Sequence, residues 1–261
     1  MSNRISVFTK PWKNLSPEEL GAAVAKLGFD AVEFPLRDGF QVTPENAEKG
    51  LPELADSLGS YGIKITSVSG PTDERTFAAL ASCDIGILRI MRMSNGRNYK
   101  ADVERWRGEL YDMQPLCEKY GVKVAVQQHF GGGISASMEL RQLLEGLDPR
   151  YIGGVWDAAH SALCGEIPDK GIDIIGEYLA MANFKSAYWE RLSGPEQRGI
   201  YRPYFTTGRQ GMCDWRSAVI KLRDVGFGGV FCIHAEYTDE ANVESYTRED
   251  LSYLRDIQNN I

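Results

Sequence analysis

The sequence predicts an α/β protein with the architecture of a (β/α)8 TIM barrel. Short apolar runs recur along all 261 residues, and a longer segment with helical spacing follows each of them. This is the sequence pattern of parallel strands joined by crossover helices. The runs are apolar nearly throughout rather than alternating, as expected for strands that are buried on both faces. Eight units of about 33 residues each match the size of such a barrel.

The eight predicted strands lie at residues 5–8, 31–36, 63–68, 86–91, 122–128, 152–156, 179–185 and 230–236. A doubly wound open sheet is the alternative architecture. However, no GxGxxG motif follows an early strand, and an open sheet gives the histidines of the chain less reason to converge. No linker divides the sequence, so we expect one domain over residues 1–261.

The helices between the predicted strands carry start and stop signals. The segment SPEE at 16–19 combines an N-cap serine, a first-turn proline and a capping-box glutamate, and Gly28 ends that helix. A later helix begins after Asp214 and ends at Gly226, directly before the last predicted strand. The repeated order of helix, glycine and strand supports the barrel.

Composition and charge exclude several classes of protein. Apolar residues make up 43% and charged residues 25% of the chain, and no apolar run is long enough to span a membrane. The net charge of −7 argues against a broad basic surface for nucleic acid or anionic lipid. The five cysteines form no CxxC or CxxH pair, so no zinc knuckle or disulfide framework is expected. The N-terminus lacks a signal-peptide pattern, which predicts a cytoplasmic location.

Polar residues at the carboxyl ends of the strands are the candidates for chemistry, because barrel active sites form there. The fifth run ends in QQH, the sixth is followed by DAAH, the seventh ends in NFK and the eighth in HAE. All three histidines of the chain lie at or just past such ends. Taken singly, a histidine there is often a buried structural residue, and Lys185 and Glu236 are equally consistent with a structural ion pair. The convergence of these residues is what predicts a site.

Four segments, in this order, resemble the xylose isomerase-like TIM-barrel superfamily, which includes sugar phosphate isomerases and epimerases, ketose 3-epimerases and endonuclease IV relatives. They are LGFDAVE at 27–33, GVKVAVQQH at 121–129, WDAAH at 156–160 and GFGG at 226–229. The resemblance covers nearly the whole chain and implies a small-molecule sugar or polyol as the substrate. The endonuclease branch is not expected, since three histidines are few for a zinc cluster and DNA requires a basic track.

Asp157, Glu236 and the histidine nitrogens suit a divalent metal, Mn²⁺, Mg²⁺ or Zn²⁺, and no nucleotide cofactor is expected. Family epimerases hold the metal with a glutamate, an aspartate, a histidine and a glutamate on strands five to eight, and the two glutamates exchange the substrate proton. The matching metal-ligand positions of this chain are Gln127, Asp157, Asn183 and His234, and Glu236 lies two residues further on. A neutral glutamine cannot act as a general base near pH 7. We therefore expect a divergent branch with its own metal or proton-transfer arrangement.

The expected function is that of a sugar or sugar phosphate isomerase or epimerase that moves a proton next to a carbonyl group. His129 or His234 would be the base because imidazole titrates near neutral pH, and His160 and Glu236 would orient substrate hydroxyls. The metal or Lys185 would stabilise the enediolate. The alternative is a catalytically degenerate barrel that serves as a sugar-binding or partner subunit. A homo-oligomer is compatible with either function.

Residues nearer the rim are candidates for substrate binding. Glu33 and Arg37, at the end of the second run, are expected either to line the pocket or to pair with each other. Arg202 and Arg209 lie in a predicted long loop after the seventh strand, where barrels often bind anionic groups. Arginines in a solvated loop are the simpler interpretation of that segment. Trp189 is the tryptophan best placed to stack on a sugar ring.

Overall fold

The computed structural model describes residues 3–261, and eight parallel strands close a barrel at its centre. Ten strands are present among these residues: β1 (Ile5–Phe8), β2 (Ala31–Pro35), β3 (Lys64–Ser69), β4 (Ile87–Ile90), β5 (Lys123–Gln127), β6 (Ile152–Asp157), β7 (Leu179–Phe184), β8 (Ser186–Arg191), β9 (Tyr201–Thr206) and β10 (Val230–His234). The order around the barrel is β1, β10, β7, β6, β5, β4, β3 and β2. The eight predicted strands and the (β/α)8 barrel are thereby confirmed.

Strands β8 and β9 form a separate antiparallel ribbon, so the prediction of a long loop after the seventh strand is wrong. Ser186 pairs with Thr206 at one end of the ribbon, and Arg191 pairs with Tyr201 at the other. Much of the ribbon is half-buried or exposed. Its residues therefore give no continuous apolar run, and the pairing depends on contacts between two separated segments, which a search for apolar runs does not detect.

Nine α-helices flank the strands in the part of the chain that the structure describes: α1 (Pro17–Leu27), α2 (Ala47–Gly59), α3 (Glu74–Ser82), α4 (Tyr99–Tyr120), α5 (Ser137–Leu144), α6 (Ala158–Leu163), α7 (Pro168–Ile175), α8 (Trp215–Asp224) and α9 (Val243–Asn259). The predicted capping box begins α1, and Gly28 ends it in the left-handed conformation, with φ of 97°. Asp214 caps α8 as predicted. None of the described helices is long and apolar enough to cross a membrane.

Alternate side chains of the barrel strands belong to two different cores, as the two-residue repeat of a strand requires. The outward-facing residues, such as Val124, Trp156 and Phe231, pack against the helices in a large apolar core. Inside the barrel lies a smaller cluster. Four of its members, one each on β5, β6, β7 and β10, are here named the apolar layer: Ala125, Val155, Met181 and Cys232. This layer supports the site from below.

Candidate active site

The carboxyl end of the barrel interior is lined by buried polar side chains. Two residues after each member of the apolar layer, the strand again faces the interior, one step nearer the carboxyl end. These residues and two from β2 and β4 are here named the polar layer: Glu33, Arg89, Gln127, Asp157, Asn183 and His234. None of them is more than 2% exposed. Charged groups buried to this extent need partners.

Arg89 links two members of the polar layer. Its Nε donates to Oε1 of Glu33 at 2.6 Å, its Nη1 donates to Oε1 of Gln127, and its guanidinium lies 4.7 Å from the centroid of the Phe8 ring. Burial alone would raise the pKa of Glu33, but the charge of Arg89 and the neighbouring His234 bring it down to about 2. The buried pair is therefore ionised at neutral pH.

Asp157 joins the polar layer to helix α6. Its Oδ1 accepts the backbone N–H groups of Ala159 and His160, both at 3.1 Å, and so caps the helix. Its Oδ2 accepts Nε2 of Gln127 at 2.8 Å and Nδ2 of Asn183 at 3.3 Å. Burial would raise the pKa of Asp157, but its interactions, led by that with His160, lower it to about 2. Four donors thus occupy the four acceptor positions of an ionised carboxylate.

His160, in the middle of α6, is completely buried and lines the cavity described below. Within residues 3–261, neither of its ring nitrogens has a hydrogen-bond partner. Burial lowers the pKa of His160 to about 3, so the ring is neutral near pH 7 and offers one N–H donor and one acceptor nitrogen. Each unpartnered buried polar atom costs roughly 1–3 kcal/mol, a cost that a bound hydroxyl group would relieve.

His129 follows β5 and lies against His160, with the two ring centroids 4.2 Å apart. Its Nδ1 lies 3.0 Å from the backbone carbonyl oxygen of Phe130. A carbonyl oxygen can only accept a hydrogen bond, so we infer that Nδ1 carries the proton and that Nε2 keeps its lone pair. The backbone therefore fixes the tautomer in which Nε2 is the basic nitrogen.

His234 ends β10 between two carboxylates. Its Nδ1 lies 3.3 Å from Oε2 of Glu236, and its Nε2 lies 3.4 Å from Oε2 of Glu33. A carboxylate oxygen therefore faces the ring whichever nitrogen bears the proton. Glu236 also binds Nζ of Lys185 at 3.0 Å and pairs with Lys10. Burial would raise the pKa of Glu236, but the charge of Lys185 and the adjacent His234 hold it well below its usual value.

These side chains meet at a cavity of about 260 Å³ at the carboxyl end of the barrel, slightly smaller than the ~300–1,000 Å³ common for small-molecule sites. All three histidines line it, and so do four cationic side chains. Phe8, Phe130 and Phe205 form its apolar wall. A larger cavity of about 990 Å³ adjoins it, and the two share Lys10, Arg37, Glu236 and Tyr237 in their linings.

The predicted site residues fall into two groups by position. Those that line the cavity are Gln127, His129, His160, Lys185, His234, Glu236 and Arg37. Glu33, Asp157 and Asn183 are buried beside them in the polar layer. The pairing considered for Glu33 and Arg37 is absent: Glu33 binds Arg89, and Arg37 donates to Oγ of Ser69 at 2.8 Å.

The rim candidates lie outside the lining of the cavity. Trp189 is 41% exposed on β8, and its ring packs edge-on against Phe130, with 6.1 Å between the centroids. The guanidinium of Arg209 lies 4.1 Å from the centroid of the Tyr253 ring, and Arg202 pairs with Glu190 on the ribbon. The two arginines are thus held by neighbours on the protein surface rather than at the cavity.

Sequence reasoning missed Arg89, although a signal for it was present. The fourth predicted run reads GILRIM at 86–91, so a single arginine interrupts an otherwise apolar strand. A charged side chain in a strand that is buried on both faces requires a buried partner of opposite charge. Glu33, in the segment AVEFPL at 31–36, has the same signature, and the two form that pair. Lys10 was also missed, although it lies two residues past the first predicted strand, at 5–8, where polar residues are candidates for the site.

The four predicted metal ligands do not fit a divalent ion in the arrangement that the structure shows. The amide nitrogens of Gln127 and Asn183 donate to Asp157, so both amides direct a donor, rather than an oxygen that could bind a metal, at that carboxylate. The amide oxygen of Gln127 accepts from Arg89, and Asp157 already accepts four hydrogen bonds. Divalent ions of this class require several oxygen or nitrogen lone pairs directed at one point.

A second group of candidate ligands, Glu33, Cys232 and His234, has ligand atoms within 4.8 Å of one another. Glu33 is committed to Arg89, and the thiol of Cys232 donates to Oε2 of Glu33 at 3.8 Å. Burial raises the pKa of Cys232 far above its usual value, which disfavours the thiolate form that binds metals. This group does not fit a divalent ion either.

Comparison with known proteins gives a consistent family. The family model described as a xylose isomerase-like TIM barrel matches residues 22–257. The chain is 26% identical over 165 residues to an inosose dehydratase of Bacillus licheniformis, a match that covers 58% of this chain and 54% of that protein. It is 22% identical over 223 residues to an inosose dehydratase of Bacillus velezensis, covering 78% and 66%. The matches thus span about half to two thirds of the length of these relatives.

Solved structures share the fold at lower sequence identity. D-psicose 3-epimerase from Clostridium cellulolyticum H10, solved with D-tagatose, has a TM-score of 0.74 and 15% identity, covering 98% of this chain and 99% of that one. A xylose isomerase-like TIM-barrel protein from Mycobacterium smegmatis in complex with magnesium has a TM-score of 0.75 and 13% identity, covering 100% and 99%. At these identities the similarity shows the fold alone.

Proposed function

Since this chain belongs to the xylose isomerase-like TIM-barrel family, we propose that it is an isomerase or epimerase of keto sugars, sugar phosphates or related keto polyols. Its first step is the removal of a proton from the carbon next to the carbonyl group. The observation that carries this proposal is the meeting of three histidines and four cations at one cavity. A base and fixed positive charge at one cavity are what proton abstraction beside a carbonyl requires.

His129 is the proposed base. Hydrogen bonding of its Nδ1 to the Phe130 carbonyl supports a tautomer in which Nε2 accepts the proton. The C–H electron pair then forms a carbon–carbon double bond, and the carbonyl π electrons move onto oxygen to give an enolate. Lys185, which is 6% exposed and lines the cavity, is a cation able to stabilise that negative charge.

His160 is the proposed hydrogen-bonding partner of a substrate hydroxyl. Its pKa of about 3 makes it a weak base, but its two unpartnered nitrogens suit a group that both donates and accepts. His234, between Glu33 and Glu236, is the proposed proton donor that returns a proton to the enolate. Return to the opposite face of the carbon gives the epimer. Return to the neighbouring carbon gives the isomer when a proton also moves from the hydroxyl group of the first carbon to the enolate oxygen.

Solvent-deuterium exchange tests this function. The full chain is incubated in D₂O with a panel of ketoses, ketose phosphates and keto-inositols, and proton NMR follows the C–H signal next to each carbonyl. We expect this signal to disappear for at least one compound and signals of a new isomer to appear. Exchange should be lost in His129→Asn. A full panel without exchange contradicts the proposal and favours the alternative of a sugar-binding or partner subunit.

Dehydration is a second candidate function, favoured by the naming of the two matching relatives as inosose dehydratases. It begins with the same proton abstraction. The enolate then expels the hydroxyl group on the next carbon, which leaves as water after taking a proton from an acid. His234 is the proposed acid in this case as well. Mass spectrometry distinguishes the outcomes, because an isomer keeps the mass of the substrate and a dehydrated product lacks one water.

A further inference from the structure

We infer that Arg89 supplies the positive charge for which metal-dependent members of the family use a divalent ion, and that the site binds a negatively charged oxygen of its ligand there without a metal. This inference deepens the proposed function and rests on it where it concerns catalysis. Its binding part rests on the geometry around Arg89 alone.

Arg89 is held on two sides by the polar layer. Glu33 accepts its Nε, Gln127 accepts its Nη1, and the Phe8 ring lies against its guanidinium. A guanidinium held in this way has a fixed position, and it remains charged at any physiological pH. Such a preorganised cation needs no reorganisation when negative charge develops beside it.

The remaining nitrogen of the guanidinium, Nη2, is buried and has no hydrogen-bond partner in the described part of the chain. Arg89 also lines the cavity. An unpartnered N–H donor on a buried cation is costly, and a negatively charged oxygen is the acceptor that satisfies it best. The open donor therefore points to a ligand with a carboxylate, or with a carbonyl oxygen that becomes negative during the reaction.

Gln127 is the residue expected at this position if Arg89 takes the place of a metal ion. It lies at the position that the family resemblance assigns to the first metal-binding glutamate, yet here it accepts from Arg89 and donates to Oδ2 of Asp157. A glutamate at this position would place a second carboxylate about one hydrogen-bond length from Asp157, and the like charges would repel. A glutamine satisfies both the cation and the anion. Gln127 and Arg89 therefore form a matched pair.

The charges around the cavity support the same conclusion. Its lining includes the cations Lys10, Arg37, Arg89 and Lys185, and the carboxylates in contact with these residues or with the polar layer are Glu33, Asp157 and Glu236. Four cations against three carboxylates leave this set of groups positive before any metal binds. A divalent ion would add two more positive charges beside Arg89, which electrostatic repulsion disfavours.

Metal binding is tested first, on the unmodified protein. The full chain, purified without added metal and treated with EDTA, is analysed by inductively coupled plasma mass spectrometry and titrated calorimetrically with Mn²⁺. We expect no stoichiometric metal, no binding isotherm and no change in turnover on chelation. Stoichiometric Mn²⁺ binding that Asp157→Asn abolishes, or loss of turnover with EDTA and its recovery with Mn²⁺, overturns the inference. The second of these results would leave the proposed function intact.

Anion binding is tested with two probes of matched size, D-arabinonate and the neutral D-arabinitol. We expect calorimetry to show arabinonate binding about 10- to 100-fold more tightly, the range for a charge-assisted hydrogen bond. Arg89→Met removes the arginine that pairs with the buried Glu33 and so endangers folding. The double variant Arg89→Met/Glu33→Gln removes both charges and should lower the preference by about 10-fold or more, while Lys10, Arg37 and Lys185 remain at the cavity.

The matched control is Arg150→Met/Asp148→Asn, which removes an exposed arginine–aspartate pair before β6. It should keep the preference for arabinonate. Equal binding of the two probes by the unmodified protein, or a preference that is undiminished in the Arg89 double variant, contradicts the inference. If the anion preference behaves as expected but no sugar is turned over, the proposed function fails and the binding part of the inference stands.

Discussion

Met181 and Asn183 lie two residues apart on β7, and both are completely buried inside the barrel. Met181 packs among apolar neighbours in the apolar layer. Asn183 donates to Asp157, and its Oδ1 has no partner among the described residues. Burial of the apolar Met181 side chain thus lowers the free energy of the folded state. Equal burial of Asn183 on the same strand raises it, because Oδ1 loses its hydrogen bonds to water and gains none in return.

The apolar layer mainly stabilises the barrel, and the polar layer mainly provides groups that can contact a ligand. In the apolar layer, tight packing makes stability sensitive to the volume of each side chain. In the polar layer, unpartnered atoms such as Nη2 of Arg89 and Oδ1 of Asn183 represent stability given up for groups that a ligand can engage. Substitutions near the polar layer should therefore change activity more than stability, and substitutions in the apolar layer should do the reverse.

The largest effect on activity is expected for substitution of His129, which lines the cavity. His129→Asn keeps a polar side chain and removes the proposed base. Loss of a general base lowers turnover by about 10²- to 10⁴-fold, whereas His129 is only half-buried, so the melting temperature should change little. Deuterium exchange and thermal unfolding of the same samples measure the two effects. Retained exchange would remove His129 from the proposed mechanism.

Met181→Ala tests the apolar layer. Truncating a fully buried methionine typically destabilises a protein by about 2–5 kcal/mol, since a cavity remains. Turnover at temperatures well below unfolding should stay within a few-fold of the original, because Met181 does not line the active-site cavity. Met138→Ala, at a methionine 59% exposed, is the control and should have little effect in urea unfolding. A large fall in turnover for folded Met181→Ala would contradict the separation of the layers.

The strands and their apolar layer could be predicted from the sequence, whereas the polar layer could be predicted only in part. The strands were predictable because the outward-facing residues and the apolar layer together produce continuous apolar runs, as in 230–233. The candidate site was predictable in part because His129, His160 and His234 follow those runs. Arg89 was missed because it lies within a run, and its pairing with Glu33 joins residues 56 positions apart. Which polar groups remain unpartnered depends on three-dimensional packing, which the sequence pattern does not contain.

Asp250, on α9, is a buried carboxylate without a direct cationic partner, and it therefore contrasts with the buried carboxylates of the polar layer. It accepts hydrogen bonds from Tyr237 at 2.8 Å and from the Gly208 N–H at 2.7 Å. Burial nevertheless raises its pKa to about 7. Its contribution to stability is therefore full below the unfolded pKa of about 4 and is lost as the pH rises through about 7. Glu33 and Asp157, whose pKa values are lowered, have the opposite dependence and lose their contribution at acid pH.

Asp250→Asn should therefore be more stable than the original protein at pH 8, by up to about 3 kcal/mol, and the difference should shrink towards pH 5. Urea unfolding at a series of pH values measures it. Asp112→Asn, at an exposed aspartate of α4, is the control and should not change the pH dependence of stability. A variant that is less stable than the original at pH 8 would show that the hydrogen bonds of the carboxylate outweigh its burial.

The smallest effect is expected for His160→Phe. This substitution should make the protein more stable and weaken its binding of sugar. The new ring keeps the aromatic contacts with His129 and Phe130, whose centroids lie 4.2 Å and 5.4 Å from that of His160, and it removes two unpartnered buried nitrogens. The gain of roughly 1–3 kcal/mol per relieved atom is partly offset by the larger ring in a packed site. We expect a net gain of about 1 kcal/mol, or about 2–4 °C in the melting temperature, together with weaker sugar binding.

His129→Phe, which breaks the hydrogen bond to the Phe130 carbonyl, is the control and should show no such gain. A lower melting temperature for His160→Phe would mean that the imidazole stabilises the ligand-free protein, and His160 would then belong with the apolar layer in its contribution to the fold.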